Sequence, residues 1–278
     1  MSVAPEDLQH WQQWIGQTET RTEVVDPESV RRFAAAIGEN LDVERVQPSL
    51  AHWALFLPVA PADQLGDDGH PKRGGFLPPV TLPRRMFAAA DMSFPAPLLW
   101  GRAATRTSRI AGVTHKAGRS GDLVLVDVEH EIAQFGQMRV HERQTIVYRD
   151  AGAPVPPVVP TEQARAADAI TWLPGTVDLF RFSAVTFNSH RIHYDAPYAT
   201  GEEGYPGLVV HGPFTAARLF SLATRAGGAI RQFSFQALAP LFVDQPVALV
   251  CGEEDTVAAI RCDGVTAMTA TFKGQNQP

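Results

Sequence analysis

The first helix of the chain is predicted by the spacing of its apolar positions. Four apolar residues follow the i, i+3, i+4, i+7 pattern of a helix with one buried face: Val30, Phe33, Ala34 and Ile37. Asp26 stands where an N-cap is expected and Pro27 at the first helical position, while Gly38 ends the pattern. We therefore predict a helix between Pro27 and Gly38.

Two further helices are predicted to begin at prolines, one in each half of the chain. One begins at Pro83 and runs through RRMFAAA. The other begins at Pro213 and carries apolar residues at helical spacing, namely Ala216, Leu219, Phe220 and Ala223. Because the second helix carries so few charges, we expect it to be buried on most of its sides.

Runs of alternating or clustered β-branched and aromatic residues surround these helices and predict strands. The first half contains LLWGRAATRTSRIAGVTHK, GDLVLVDVEHEIAQFG and MRVHERQTIVYR, and the second VDLFRFSAVTF, IRQFSFQALAPLF, QPVALVCGEE, TVAAIRC and VTAMTATFK. Each half therefore reads as a helix followed by antiparallel strands. The expected class is α+β, with two antiparallel sheets each wrapped around a central helix.

A proline-rich segment separates the two halves. Residues 151–169, AGAPVPPVVPTEQARAADA, favour an extended connector, so we expect domains at 1–150 and 170–278. A faint repeat relates FLPPVTLPRRMF to LVVHGPFTAARLF, with Pro83 and Pro213 in matching places. Only the second copy has a neighbouring amide–imidazole pair, which predicts one site per chain.

Composition narrows the class of partner. The chain has 278 residues, 45% of them hydrophobic, and a formal net charge of −6 with both signs interspersed. That balance argues against nucleic acid or a membrane surface as partner. Cys251 and Cys262 are expected to be free thiols, because two cysteines make no disulfide framework. The start MSVAPEDLQHWQQWIG lacks the basic and apolar runs of a secretory signal, so a cytoplasmic protein is expected.

The candidate chemistry lies in two segments of the second half. TFNSHRIH, residues 186–193, brings together Asn188, His190 and His193. VHGPF follows at 210–214, where Gly212 is expected to cap a helix that starts at Pro213. A histidine beside the free N–H groups of a helix start is suited to proton transfer next to a carbonyl.

These segments resemble the MaoC-like (R)-specific enoyl-thioester hydratases and dehydratases, a double hot-dog family. The family motif has the form D-x-N-P-[LIV]-H-x-D, followed by a helix that opens with H-G. His193 falls on the family's catalytic histidine, while Asn188 replaces its aspartate. The phrases FRFSAVTFNSHRIHYD, YPGLVVHGP and FLPPVTLPRRM are similar to a branch with asparagine at that place, which includes mesaconyl-CoA and itaconyl-CoA hydratases and mitochondrial-type 3-hydroxyacyl-thioester dehydratases.

The resemblance implies a role for each of these residues. Adding water to an enoyl thioester needs a base for the water, an acid for the α carbon and donors for the thioester oxygen. We assign the first two roles to His193, with Asn188 orienting the water. Gly212 and the residues just after Pro213 supply the backbone donors, and His211 lines the pocket or polarises the carbonyl.

Other polar residues have two interpretations each. Arg84 and Arg85, expected at a helix start, either bind a coenzyme A phosphate or a substrate carboxylate or form a solvated helix end. Lys116 and Arg119 offer a weaker phosphate contact. His190 is a structural or pocket-lining residue, and Asp195 either orients His193 or caps the following turn. His190, His193, Asp195 and His211 match no recognised metal pattern, so no metal is predicted.

The expected function is hydration of a short branched dicarboxylic enoyl-CoA. No metal or redox cofactor is expected, and coenzyme A is counted as part of the substrate. The alternatives are dehydration of straight-chain 3-hydroxyacyl thioesters, thioester hydrolysis and non-catalytic acyl-thioester binding. The acyl carrier, coenzyme A or a carrier protein, stays open. A homodimer or larger homo-oligomer is expected by analogy with such folds.

Overall fold

Ten strands, all paired antiparallel, dominate the molecule. The computed structural model describes residues 3–118, 121–161 and 169–274. The strands are β1 (Thr18–Val24), β2 (Arg84–Ser93), β3 (Ala103–Gly118), β4 (Gly121–Gln134), β5 (Gln137–Arg149), β6 (Ile170–Trp172), β7 (Ile230–Ala237), β8 (Val247–Cys251), β9 (Thr256–Ile260) and β10 (Thr266–Gly274). They form one sheet in the order β1-β3-β4-β5-β2-β7-β10-β9-β8-β6.

The two halves of the sheet have the same topology. Counted from its own outer edge, each half places its strands in the order first, third, fourth, fifth, second. The second strands of the two halves, β2 and β7, pair with each other from Ala89↔Gln236 to Ser93↔Gln232. The expected two sheets are therefore joined into one, which leaves neither inner edge with unpaired backbone groups.

Within the described ranges, five α-helices accompany the sheet. They are α1 (Pro5–Gln12), α2 (Pro27–Ala36), α3 (Thr176–Thr186), α4 (Ala196–Gly201) and α5 (Gly212–Gly227). The α2 helix is confirmed where its periodicity placed it, and the Asp26 carboxylate accepts hydrogen bonds from the Glu28 and Ser29 N–H groups. In the described part of the chain, no helix is both long and apolar enough to cross a membrane.

The α5 helix is the central helix of the second half. It lies against β7, β8, β9 and β10, and its buried residues include Phe214, Ala216, Leu219 and Ala223. Phe214 stacks on Phe182 of α3, with 4.9 Å between ring centroids. The burial expected for this helix is thus confirmed.

The prediction of a helix that begins at Pro83 is wrong. Residues 84–93 form β2, which pairs with β5 on one side and with β7 on the other. Strand partners on both sides outweigh the helix propensity of the alanines in MFAAA, because propensity is weak beside tertiary pairing. The predicted repeat between Pro83 and Pro213 fails with it. Among the described residues of the first half, the face of β2, β4 and β5 that a central helix would cover borders a cavity instead.

The strand predicted for VDLFRFSAVTF is also wrong, because residues 176–186 form α3. The Asp178 side chain accepts a hydrogen bond from the Gly175 N–H at 2.9 Å, which caps the helix start. Leu179 and Phe182, three residues apart, are buried on one face. Short apolar runs of this kind fit either period, so the sequence alone was ambiguous here.

The predicted connector has no helix or strand over its described part, residues 151–161. The Val155 N–H donates to the Gly204 carbonyl at 2.8 Å, which ties the connector to the second half. Residues 162–168 of the predicted connector lie outside the described residues, and the domain boundaries stay a prediction. Cys251 and Cys262 are both free, as expected.

Candidate active site

The segment after α3 places Asn188 in a turn at the wall of the cavity. The helix ends at Phe187, whose φ of 48° is left-handed, and the Asn188 N–H donates to the Ser183 carbonyl at 2.9 Å. The Asn188 Oδ1 then accepts the His190 N–H at 3.0 Å. The amide oxygen is thus partly engaged by the turn, and the side chain lines the cavity.

His193 is held in one tautomer by a backbone contact. It lies in a 3-10 turn, Arg191–His193, and its Nδ1 lies 2.7 Å from the Val209 carbonyl oxygen. Because a carbonyl only accepts, Nδ1 donates, and Nε2 keeps its lone pair. Burial lowers the pKa of His193 to about 3, so the ring is neutral at neutral pH. His193 lines the cavity and offers an acceptor nitrogen for a water molecule.

His211 supports His193 from the protein side. The two rings stack with 3.6 Å between centroids and 20° between planes, and the His211 Nε2 lies 2.8 Å from the Ser183 Oγ. The side chain is fully buried and does not line the cavity. His211 therefore does not line the pocket, because His193 and Ser183 cover its ring, and its role in polarising the carbonyl stays a prediction. Burial and His193 keep the pKa of His211 well below its usual value.

The start of α5 provides the backbone donors, with a shift of one residue. His211 is the N-cap, Gly212 the first helical residue and Pro213 the second, whereas Gly212 was expected to cap. The first N–H groups of a helix have no partner inside it, and Pro213 has none to offer, so Gly212 and Phe214 carry the free donors. Gly212 lines the cavity. The helix dipole there favours developing negative charge on a ligand.

A cavity of about 960 Å³ connects these groups to the first half. The Trp53 and Phe87 rings line it, and both pack edge to face with the Phe235 ring behind them, with centroids 5.5–6.3 Å apart. The Phe87 carbonyl oxygen lies close to Gly212, at 3.4 Å from where a Cβ would stand. The cavity thus occupies the place in the first half that α5 fills in the second.

The first-half end of the cavity contains a buried carboxylate. Glu142 is 2% exposed and accepts hydrogen bonds from Trp53 Nε1 and Gln144 Nε2, both at 3.0 Å. The His52 Nε2 lies 3.2 Å from the same carboxylate. These bonds lower the pKa of Glu142 to about 2 against the opposing effect of burial. No sequence spacing pointed to this cluster, since His52 and Glu142 are 90 residues apart.

The two arginines lie at the start of β2 and not of a helix, and they differ in environment. Arg84 is buried and forms an ion pair with Glu203, with 3.1 Å between Nε and Oε2. Arg85 also lines the cavity but forms no ion pair with any described residue. Of the pair, Arg85 is the cation available to a ligand.

The remaining predicted residues are placed as follows. Asp195 caps α4, and its Oδ2 lies 2.7 Å from Arg191 Nη2, so the capping interpretation is correct and Asp195 does not orient His193. Lys116 is exposed on β3, away from the cavity. Arg119 lies outside the described residues, and the phosphate contact stays a prediction.

Sequence reasoning also missed His70 of the first half, which lines the cavity, and its partner Asp68. His70 Nδ1 lies 3.1 Å from Asp68 Oδ2, and the His70 ring packs on His190 with 4.1 Å between centroids. His190 in turn meets the His193 ring edge-on at 5.4 Å. The only signal was the string DDGH, and an acid two residues before a histidine is common in turns.

Within the described ranges, one group of three side chains is close enough to surround a cation. It consists of Asp68, His70 and His190, whose candidate atoms lie within 4.8 Å of one another. Asp68 and His70 already satisfy each other, and the positive charge of Arg85 acts on all three. The four residues considered from the sequence, His190, His193, Asp195 and His211, form no such group among the residues that the structure describes. His211 is hydrogen-bonded to Ser183, and Asp195 forms an ion pair with Arg191.

Comparison with known proteins shows which family the chain matches. A model of the family "Hydroxyacyl-thioester dehydratase type 2" matches residues 50–243. The mesaconyl-C(4)-CoA hydratase of Chloroflexus aurantiacus is 46% identical in an alignment of 276 residues that covers 95% of this chain and 97% of that protein.

Solved structures show the same fold. A MaoC-like dehydratase from Phytophthora capsici superposes with a TM-score of 0.69 at 12% identity, covering 96% of this chain and 98% of the other. A Mycobacterium tuberculosis protein described as a double hotdog fold gives a TM-score of 0.55 at 10% identity over 93% and 95%. The predicted α+β double hot-dog class is confirmed. On these matches, the chain belongs to the hydroxyacyl-thioester dehydratase type 2 family of MaoC-like hot-dog hydro-lyases.

Proposed function

We propose that the protein hydrates the double bond of a short branched dicarboxylic enoyl-CoA, with mesaconyl-C4-CoA as its substrate. The observation that carries this proposal is the meeting of the His193 lone pair and the start of α5, at Gly212, in one cavity. The 46% identity to a mesaconyl-C(4)-CoA hydratase over nearly the whole of both chains supports the choice of acyl group. Itaconyl-CoA is the branched dicarboxylic analogue to compare with it.

Water adds at the β carbon of such a thioester. In mesaconyl-C4-CoA the β carbon carries a methyl group and the free carboxylate, so hydration forms a tertiary alcohol. His193 Nε2 accepts a hydrogen bond from the attacking water, and the Asn188 amide helps to orient that water. The reaction moves a hydroxyl group and a proton without net oxidation or reduction, so it calls for no electron carrier.

Negative charge builds on the thioester oxygen as the water attacks. The N–H groups of Gly212 and Phe214 stand at the positive end of α5 and are fixed there by the buried helix. Such preorganised donors typically contribute about 10²–10³ in rate each. Gly212 has no side chain between the oxygen and the backbone, which allows the close approach.

The free carboxylate of the substrate needs a cation, and Arg85 fits that role. It lines the cavity without an ion-pair partner among the described residues, while its charge acts on His70 and His190 beside the catalytic segment. Arg84 instead forms an ion pair with Glu203, which helps to hold the cavity wall in place.

Dehydration of straight-chain 3-hydroxyacyl thioesters is the second candidate, favoured by the matching family model. A long acyl chain would meet Glu142 and its polar partners at the first-half end of the cavity. Contact of methylene groups with an ionised carboxylate is unfavourable, which favours a short, polar acyl group.

Purified protein incubated with mesaconyl-C4-CoA tests the function directly. Loss of the conjugated thioester absorbance without release of free thiol is the expected result. Thiol release would mark a thioesterase, and no change in either signal would mark a binding protein. A panel that includes itaconyl-CoA and straight-chain enoyl-CoA esters ranks the substrates.

Replacing Arg85 by glutamine tests the carboxylate contact. We expect KM for mesaconyl-C4-CoA to rise about tenfold, because loss of one charge-assisted hydrogen bond costs about 1.4 kcal/mol or more. KM for crotonyl-CoA, which has no free carboxylate, should change less than about twofold. The exposed Arg45 provides the matched control as Arg45→Gln. An equal effect on both substrates would remove Arg85 from carboxylate recognition.

A further inference from the structure

Asn188 stands where the resembled family has an aspartate, so the segment 186–193 lacks a carboxylate at that place. A carboxylate–histidine pair from the first half, Asp68 and His70, lies beside this segment. Asn188 cannot take up a proton as a carboxylate does, and the one contact of His193 Nδ1 is a neutral carbonyl. An imidazolium formed on His193 would therefore lack a negatively charged partner. His70, which also lines the cavity, has such a partner in Asp68.

Residues 66–70 are fastened to the catalytic segment. The Arg191 N–H donates to the Asp68 carbonyl at 2.9 Å, and the Ser189 hydroxyl donates to the Gly69 carbonyl at 2.5 Å. Gly69 has a φ of +84°, and a Cβ there would lie 2.0 Å from the Ser189 carbonyl oxygen. Only glycine permits this approach, so the position of His70 beside the site is built into the fold.

The hydrogen bonds of the pair fix the state of His70. Asp68 accepts from the His70 N–H at 2.9 Å and from the His70 Nδ1 at 3.1 Å, and these bonds lower the pKa of Asp68, so it is ionised. An ionised carboxylate only accepts, hence His70 Nδ1 carries the hydrogen and Nε2 keeps a lone pair. A carboxylate behind an imidazole holds the ring in the tautomer that acts as a base and stabilises the imidazolium that forms.

Five charged or titratable groups surround His70, and one of them is His193, whose protonated form is disfavoured by a protonated His70. Asp68 favours the protonated form of His70, whereas Arg85 and Arg73 oppose it, and the neutral His190 ring packs against His70. Burial and the two arginines outweigh Asp68 and keep the pKa of His70 below its usual value, so His70 is a free base at neutral pH.

We propose that His70 is a catalytic base of this site, with Asp68 as its positioning residue. The inference rests on the proposed hydration. Water gives one proton to His70 Nε2 as its oxygen bonds to the β carbon, while His193 Nε2 accepts a hydrogen bond from the second hydrogen. The π electrons move onto the thioester oxygen as an enolate. The enolate then collapses, and the α carbon takes the proton back from His70, so the base is regenerated and nothing else is consumed.

The test compares His70→Ala, His70→Gln and Asp68→Asn with the wild-type protein on mesaconyl-C4-CoA. We expect His70→Ala to lower kcat about 10²–10³-fold with KM within about threefold, which is the usual contribution of a general base. Added imidazole should restore part of the activity of His70→Ala. Asp68→Asn should lower kcat and move the acidic limb of the kcat–pH profile to lower pH, because removal of the carboxylate lowers the pKa of His70.

A second histidine–aspartate pair of the first half is the matched control. The His115 Nε2 lies 2.8 Å from Asp122 Oδ1, and neither residue lines the cavity. His115→Ala should leave kcat and its pH profile unchanged.

Each other result overturns the proposal. A His70→Ala protein that keeps more than half of the wild-type kcat would do so. A loss that imidazole does not restore and that leaves the pH profile unchanged in Asp68→Asn would show a structural role. Loss of wild-type activity in EDTA with recovery on adding zinc would assign these side chains to a metal. If the wild-type protein hydrates no enoyl-CoA, the proposed function itself fails and the inference falls with it.

Discussion

The two halves of the sheet share one strand order and differ in what covers them. In the second half, α5 fills the curved face of β7–β10 with Phe214, Leu219 and their neighbours. In the first half, the corresponding face of β2, β4 and β5 borders the cavity of about 960 Å³. One half therefore provides a rigid helix start and the motif residues, and the other provides the space in which an acyl group can lie.

The difference is consistent with the prediction that only one half carries a catalytic segment. A helix start is a useful donor site only if a ligand can reach it, and a second central helix would fill the space that admits the ligand. The first half instead contributes side chains from loops and strands, such as His70, Arg85 and Glu142, to a site centred in the second half.

The largest expected effect comes from the histidines of the two halves. His193→Ala should lower the hydration rate about 10³-fold, because it removes an acceptor for the attacking water. His130 lines the first-half end of the same cavity, and His130→Ala should lower the rate less than about tenfold. The initial rate of absorbance loss measures both. Similar losses for the two variants would mean that catalysis is not centred in the second half.

The next largest effect concerns core packing, because truncation of a core side chain should cost more stability in the second half than in the first. Phe214→Ala should reduce the free energy of unfolding by about 3–5 kcal/mol, because its ring packs between Phe182 and Trp172. Ile146 of β5 already borders the cavity, so Ile146→Ala should reduce it by only about 1 kcal/mol. Urea unfolding of both variants gives the comparison. A cost above about 3 kcal/mol at Ile146 would show that the first half is packed as tightly as the second.

Acid should destabilise the protein through buried groups of both halves. The pKa values of His193 and His130 lie at about 3 and about 4 because burial disfavours their charged forms. The unfolded chain therefore binds protons at these sites below about pH 6.5, while the native protein does not. Stability should fall as pH drops from about 6.5 to 4, by about 1.4 kcal/mol per pH unit for each site.

Glu142 extends the loss to lower pH. Its pKa of about 2 lies below the usual carboxyl value, so its contribution to stability is present above about pH 4.5 and disappears as pH falls towards 2.

Urea midpoints measured from pH 7 to pH 4 give the dependence of stability on pH that the two histidines cause. His193→Gln and His130→Gln should each flatten it, whereas substitution of the exposed His10 should not. An unchanged slope in both variants would contradict the prediction.

The smallest expected effect concerns the contact between the halves. Gly69→Ala should lower kcat about tenfold, because its Cβ would collide with the Ser189 carbonyl and displace residues 66–70. Gly136 has a φ of +73° and nothing within 4 Å of its Cβ position, so Gly136→Ala carries the backbone strain without the collision. If both variants keep wild-type kcat, the placement of this loop does not matter for the reaction.

Several parts of the molecule could be predicted from the sequence. The periodicity of residues 27–37 and the helix after Pro213 are local patterns, and both are correct within a residue or two. The motif spacing placed Asn188 and His193 on one segment and Gly212 at the helix start, where the structure has them. The similarity to the family followed from the same short strings.

Other parts were decided by contacts between distant segments. The sequence near Pro83 favours a helix, but β5 and β7 on its two sides make it a strand. Arg84 and Arg85 look equivalent as neighbours, and only the buried Glu203, 119 residues away, separates their roles.

The sequence by itself therefore determined the candidate catalytic segment, the helix start and the family, because each depends on residues close together in the chain. Tertiary structure decided the single sheet, the empty face of the first half and the approach of His70 to His190. These depend on pairings across about 120 residues, such as Ser189 with Gly69, whose cost in chain entropy is offset only when the whole fold forms.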